Sequence, residues 1–318
     1  MAVVKDYASA TKKGPTVRAK RIFVAGIEGV GKTTALTQCP NPVVICAEDG
    51  ITEDSFADVA NYTPENWADV LGYIDYLTTS AHDYKTLGID TLDWLEQYAV
   101  KHICQRDGKA SIEDYGYSKG QAVFLPNEFR IFLSKLELLQ KTKNMLIVIT
   151  AHTMVKPFNN PSGDNYDRFE TASIKQVSSL VKQWCDVNLF ATFNVATHKE
   201  SKKGKAKGVG GQERIVHTNY SAAWDAKNRC GLPDELPFDM QSILEAIKKG
   251  VPDSVENIYD DAVELSKKYL KDKVQTDTLK YLEANKTNTP NLLRALNKLK
   301  CIASQSDSEQ PVTATKAS

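Results

Sequence analysis

The stretch Gly26-Ile27-Glu28-Gly29-Val30-Gly31-Lys32-Thr33 constrains this chain more than any other. It fits the spacing G-x-x-x-x-G-K-[ST], and its flanks supply the context that the spacing needs. Arg21-Ile22-Phe23-Val24-Ala25 is a short apolar run of the kind that forms a buried strand, and Thr33 to Gln38 reads as the first turns of a helix. Strand, glycine turn and helix in that order leave successive backbone N–H groups facing one concavity, which suits phosphate oxygens. A helix beginning near Lys32 adds the positive end of its dipole to the same place. Lys32 is expected to reach the β- and γ-phosphates, and the Thr33 hydroxyl to complete the shell of a Mg²⁺ ion. Thr34 is placed for a more distal phosphate. Gly26, Ile27, Glu28, Gly29, Val30 and Gly31 form the rest of the cradle. The expectation is a nucleoside-triphosphate site.

The chain that surrounds this loop is 318 residues long, enough to bury a large core and to exceed one average domain. Its 40 basic residues are balanced by 40 acidic ones, so no global polyanion-binding signature is present and any nucleic-acid contact must come from local patches. Cys39, Cys46, Cys104, Cys185, Cys230 and Cys301 lack metal-ligand spacing and read as free thiols in a reducing compartment. No stretch approaches the ~18 apolar residues of a membrane span, so a cytoplasmic protein without a membrane partner is expected. Residues 1–20 carry five cations against Asp6 alone and read as a basic arm. Tyr7-Ala8-Ser9-Ala10 within that arm offers an aromatic-x-x-Ala pattern that could dock on a neighbouring subunit.

Further along, Pro42 to Ala47 is a second apolar strand, suited to burial on both faces of a parallel sheet, and Glu48-Asp49-Gly50 ends it. Trp67, Val70, Leu71, Ile74 and Leu77 follow helical spacing after a start near Thr63-Pro64. Thr86 to Asp90 is a third strand ending in an acid, open to two compatible readings: a Mg²⁺-holding carboxylate, or a cap for the helix from Thr91. Gln105 to Gln121 is a polar, glycine-containing loop that interleaves Arg106, Lys109, Tyr115, Tyr117 and Lys119. It suits single-stranded DNA, whose bases stack on rings, and equally suits a plain surface loop. Phe124 to Lys141 returns to helical periodicity. Asn144 to Thr150 is a fourth buried strand whose tip is Ala151-His152, in the crevice where open α/β sheets bind ligands. His152 there is either a γ-phosphate sensor or a satisfied structural histidine.

Thr153 to Thr171 reads as a long polar loop with Lys156 and Arg168. A helix over Ser173 to Trp184 and a strand over Asp186 to Thr192 follow. Lys199 to Lys207 reads as a hairpin tip in which Lys202, Lys203 and Lys205 offer phosphate contacts, or merely a solvated turn, and Glu213 to Tyr220 returns as its partner strand. From residue 239 the pattern becomes all-helical up to 303, and 304–318 lacks an apolar face. The domain expectation is thus a basic arm over 1–20, a core over 21–238, a helical region over 239–303 and a disordered tail over 304–318.

In their order these pieces resemble the RecA-type recombinase core. The phosphate loop resembles the RecA form, including the acid Glu28 at its third position. Ala47-Glu48-Asp49 resembles the segment that carries the family's catalytic glutamate, Leu87 to Asp90 its Mg²⁺-holding strand, and His152 the place of its γ-phosphate sensor, typically Gln. Lys227-Asn228-Arg229 resembles a Lys-Asn-Lys element that reaches the nucleotide of the adjacent subunit. The loops at 105–121 and 153–171 occupy the places of the two DNA-binding loops. More closely, Asp225 to Pro233, with Tyr115-Gly116-Tyr117 and Thr150-Ala151-His152, is similar to phage-encoded RecA-like P-loop ATPases, some of which act in single-strand annealing or recombination.

The resemblance implies an α/β fold, a RecA-like P-loop NTPase core with a mostly parallel sheet flanked by helices, followed by a small C-terminal helical region. It implies an ATPase using ATP and Mg²⁺ that binds single-stranded DNA and promotes annealing or strand pairing. Glu48 would polarise water, Thr33 and Asp90 would hold the metal, and Lys227 and Arg229 would act in trans within a homo-oligomeric ring or filament. Two alternatives stand beside it: a hexameric helicase or helicase loader, and a nucleotide-dependent interaction module whose helical tail recruits a single-strand-binding protein.

Overall fold

A computed structural model describes residues 18–48, 57–198, 207–250, 255–286, 291–292, 295–296, 298–300 and 302–303. The chain divides into two compact units, Met1–Ala246 and Ile247–Ser318.

The first unit is built on one sheet. Its parallel part runs β7 (Val187–His198), β1 (Arg21–Gly26), β5 (Leu146–Phe158), β4 (Thr86–Asp90), β2 (Pro42–Cys46) and β3 (Ala60–Tyr62). On the β7 side, β8 (Lys207–His217) and β10 (Glu235–Pro237) extend it antiparallel, and β9 (Lys227–Asn228) pairs the start of β7. The expected mostly parallel α/β core is therefore present. β1 and β4 are buried along their whole length, as unbroken apolar runs between two covered faces should be.

One face carries the main core, where Phe23, Val43, Leu87, Ile147 and Ile149 meet α2 (Trp67–Thr79), α3 (Leu92–Arg106), α4 (Leu125–Lys143) and α5 (Lys175–Trp184). Trp67 anchors it, with its ring 5.2 Å from Phe129 and its indole N–H donated to Glu128. That helix starts at Trp67 rather than near Thr63-Pro64, because the Asn66 side chain accepts from the Asp69 N–H and caps it there. On the other face lies the short α1 (Lys32–Thr37). Gly88 lets it sit close: a Cβ at 88 would stand 3.2 Å from both Leu36 Cδ2 and Val44 Cγ2.

Two expected loops are structured. Residues 153–171 form a hairpin, because β5 runs on to Phe158 and pairs antiparallel with β6 (Tyr166–Thr171) from Thr153↔Thr171 to Phe158↔Tyr166. Residues 105–121 contain a 3₁₀ turn at Ile112–Tyr115, closed by a Ser111–Asp114 capping box, and a π-turn from Gly120. The β7–β8 hairpin is present as expected, and its tip at 199–206, with Lys202, Lys203 and Lys205, lies outside the described residues.

The second unit packs Ala262 of α7 (Val255–Tyr269) and Leu282 of α8 (Asp272–Ala284) with Leu292, Leu296 and Leu299. α6 (Met240–Gly250) precedes them. Among the described residues no helix is long and apolar enough to cross a membrane. Cys39, Cys46, Cys104, Cys185 and Cys230 are all buried, and Cys39, Cys104, Cys185 and Cys230 are free thiols. Of the expected boundary residues, 1–17 and 304–318 lie outside the described residues.

Candidate functional site

Strand register brings the site together. Gly26 at the end of β1 stands beside His152 on one side and Ala191 on the other, and Asp90 pairs with Cys46 at the end of β2. The carboxyl ends of five parallel strands thus share one rim, from which the phosphate loop rises. Gly26 is closely packed, since a Cβ there would lie 3.0 Å from the Ala191 carbonyl oxygen. Gly29 and Gly31 take φ values of +70° and +99°, which side chains rarely adopt. Lys32 is buried and its ammonium donates to the Gly26 and Ile27 carbonyls at 3.2 and 3.0 Å. Burial lowers its pKa, against the nearby carboxylates of Asp90, Asp93 and Glu48. A buried ammonium resting on neutral carbonyl oxygens gains when an anionic oxygen replaces them.

Beside it, the Thr33 hydroxyl donates to Asp90 Oδ2 at 2.6 Å and the Thr150 hydroxyl donates to Asp90 Oδ1 at 2.7 Å. Asp90 is only 2% exposed, so its orientation is set from both oxygens. A hydroxyl and a carboxylate in contact form a hard oxygen donor pair that fits Mg²⁺. Among the described residues no cluster of three or more His, Cys, Asp or Glu could hold a metal alone. Mg²⁺ commonly takes one or two protein oxygens and keeps the rest of its shell for phosphate and water.

The third part is an acid–histidine–acid line. Asp93, in the first turn of α3, accepts the His152 backbone N–H and the Nδ1 side of its ring, both at 2.9 Å. Nε2 then faces Glu48 Oε2 at 3.7 Å. Glu48 is held here by its own backbone, which donates to the Asp90 carbonyl at 3.1 Å. The hydrogen bond to Asp93 raises the His152 pKa, while Asp93, despite burial, is held below the usual carboxylate range by those same bonds. Burial, with Asp90 and Asp93 close by, raises the Glu48 pKa, and His152 opposes the rise.

Lys32, Thr33, Asp90, Glu48 and His152 are therefore brought together as the sequence reading grouped them. Lys227 is not. Its strand pairs with Val187 and Asn188 at the start of β7, the end of the sheet away from the loop. Its ammonium donates to the carbonyls of Lys182 and Cys185, closing the C-terminus of α5, so it is not a free cation. Arg229, two residues along, is exposed at that same end.

Two DNA candidates are also corrected. Arg168 is 5% exposed, paired with Asp225 at 2.8 Å, and lies 5.1 Å from the centre of the Phe158 ring and 5.4 Å from that of Tyr220. It holds the β5–β6 hairpin in place rather than facing a ligand. Tyr115 donates to the Ile103 carbonyl and to Asp107, and its ring packs 4.8 Å from Phe124. Arg106 is exposed but committed to Asp107 and Glu128. Lys109, Tyr117 and Lys119 are exposed, Tyr117 at 98%. Lys156 is half-buried and donates to the Thr171 carbonyl at 3.3 Å.

The sequence reading missed Asp93, Thr150 and Arg214. Asp93 reads as an ordinary acid in a first helical turn, and only the fold puts it under His152. Thr150 carried a signal, a hydroxyl closing an otherwise apolar buried strand. Arg214 carried none, because its place depends on strand order.

No curated protein matches the chain. A solved structure of the RadB recombinase is similar at 12% identity, covering 63% of this chain and 80% of that one with a TM-score of 0.36. The family described as AAA domain matches residues 18–230, more than half of the 318 residues. With a phosphate loop set at the rim of a parallel sheet, the chain belongs to this AAA domain family of P-loop ATPases.

Proposed function

We propose that this protein hydrolyses ATP with Mg²⁺ in a reaction stimulated by single-stranded DNA, and that it promotes annealing or strand pairing in DNA recombination. The observation that carries the enzymatic part is the meeting of three arrangements on one rim: Lys32 on its loop, Asp90 between Thr33 and Thr150, and Glu48 facing the Asp93–His152 pair. The loop amides and Lys32 bind the phosphates. Thr33 and Asp90 would hold the metal, which when bound would neutralise charge on the phosphates. Glu48 accepts a hydrogen bond from the attacking water and aligns it; its raised pKa keeps it a better proton acceptor than a solvated carboxylate. His152, oriented by Asp93, senses the γ-phosphate and relays its presence along β5 into the hairpin that follows.

DNA contact falls to the exposed members of the candidate set. Tyr117 is free to stack on a base, and Lys109 and Lys119 are exposed near it in sequence for phosphates. For the action in trans between subunits, Arg229 replaces Lys227 as the available cation.

The test is ATP turnover across a titration of single-stranded DNA, with Lys32→Ala as the blank. Turnover that rises with DNA and vanishes in the blank supports the proposal. A flat rate equal to the blank overturns it and favours an interaction module.

A further inference from the structure

Arg214 stands on β8 opposite Phe193 of β7, two residues beyond the row in which Ala191 meets Gly26. From there its side chain reaches back onto the phosphate loop. Its Nη1 lies 2.7 Å, and its Cζ 3.6 Å, from the point where a Cβ on Gly31 would stand. The guanidinium therefore rests on the loop, in space that a side chain at residue 31 would contest. Lys32 is the next residue, so two cations from distant parts of the chain converge on one turn of backbone. Among the described residues no carboxylate forms an ion pair with Arg214. Lys32 already has the carboxylates of Asp90, Asp93 and Glu48 near it, whereas an anion held on the loop would supply Arg214 with a counter-charge.

Strand order says which part of that anion Arg214 meets. The sheet runs β8-β7-β1-β5-β4-β2. Asp90, Glu48 and His152 all lie on the β5, β4 and β2 side of the loop, whereas Arg214 approaches from the β7 and β8 side. It is thus separated by the loop from the groups that would act on the terminal phosphate.

We infer that Arg214 is a ligand, within the same chain, of the α,β-diphosphate of a bound nucleoside di- or triphosphate. The inference rests on the nucleotide-binding reading above. A planar guanidinium presents two parallel N–H donors to adjacent phosphate oxygens, a geometry that an ammonium lacks. Arg214 consequently strengthens binding of ADP as much as of ATP, and shapes product release more than bond cleavage.

The experiment measures ADP and ATP dissociation constants by calorimetry for the wild type, Arg214→Ala, Arg214→Lys and Lys32→Ala, with steady-state turnover beside them. Arg214→Ala is expected to weaken ADP and ATP by a common factor of about ten or more. Arg214→Lys recovers only part of it, and KM follows the dissociation constants more closely than kcat does. ADP binding left at the wild-type level in Arg214→Ala overturns the inference, and so does a collapse of kcat with ADP affinity retained. A wild type that binds no nucleotide overturns the functional reading itself, whereas wild-type binding that is lost in Lys32→Ala and unchanged in Arg214→Ala overturns only the role of Arg214. Circular dichroism melts check the fold; should Arg214→Ala not fold, Arg214→Gln carries the comparison, because it keeps the first methylenes of the stem and a neutral polar end.

Discussion

Glu96 tests the energetics of the region beneath the site. It lies on α3, one turn after Asp93, is 6% exposed, and accepts the Ile174 N–H at 3.0 Å just before α5 begins. Burial, against the help of that N–H, raises its pKa from 4.5 to about 7. The folded state therefore holds this proton more tightly than the unfolded one. The contribution to stability is fully present below about pH 4.5 and is lost as pH rises through about 7. At about 1.4 kcal/mol per pH unit, that difference makes ionised Glu96 about 3 kcal/mol less compatible with the fold at pH 8 than neutral Glu96 at pH 5. Glu96→Gln removes the titration and keeps an acceptor for Ile174, at a cost of roughly 1 kcal/mol for its added donors. The variant should be more stable than the wild type by about 2 kcal/mol at pH 8 and slightly less stable at pH 5. Urea unfolding followed by tryptophan fluorescence measures this in the first unit alone, because Trp67, Trp94, Trp184 and Trp224 all fall within it. Equal dependence of stability on pH in the two proteins would refute the reasoning.

Asp93→Asn should lower the His152 pKa, since the amide cannot stabilise an imidazolium as the carboxylate does; an unmoved His152 titration midpoint by NMR counts against the pairing. For the wild type, the Asp93–His152 contribution to stability is fully present between the ordinary Asp and His values of 3.8 and 6.5 and is lost as pH falls through the lowered Asp93 pKa or rises through the raised His152 pKa, which thermal melting across pH should show. Gly31→Ala should weaken nucleotide binding while far-UV circular dichroism stays unchanged, because φ of +99° strains any side chain and a methyl group would push the Arg214 guanidinium off the loop. Arg168→Ala should destabilise the first unit by roughly 2–3 kcal/mol, read by thermal melting, through loss of the hairpin's buried cation; a variant with native stability and weakened DNA binding would reverse that assignment.

The phosphate loop, Asp90 and the apolar strands were legible because each depends on local pattern: a glycine spacing, an unbroken apolar run, an acid closing it. The hairpin at 153–171 was not, since only the first half of β5 is buried and the remainder, with Pro157 and polar neighbours, lacks the run that marked Asn144 to Thr150. Arg168 and Asp225 are 57 residues apart, so nothing near Arg168 announces that its charge is already matched. Lys227 misled for a similar reason: Lys-Asn-Arg looks like a free cationic element until α5 ends beneath it. Arg214 depends on β8 folding back beside β7, a fact of topology.

The placement of Arg229 by the amino end of β7 and of Lys32 beyond the carboxyl end of β1 has a consequence for symmetry. If Arg229 completes a neighbour's site, the contact joins the bottom of one sheet to the top of the next. Such a contact is heterologous: it uses two different surfaces, so a two-fold dimer cannot satisfy it, and every copy that gives a cation leaves its own rim open to receive one. The assembly then has a direction. An open chain of copies always ends in one unfinished rim, and adding the last copy of a closed cycle removes it.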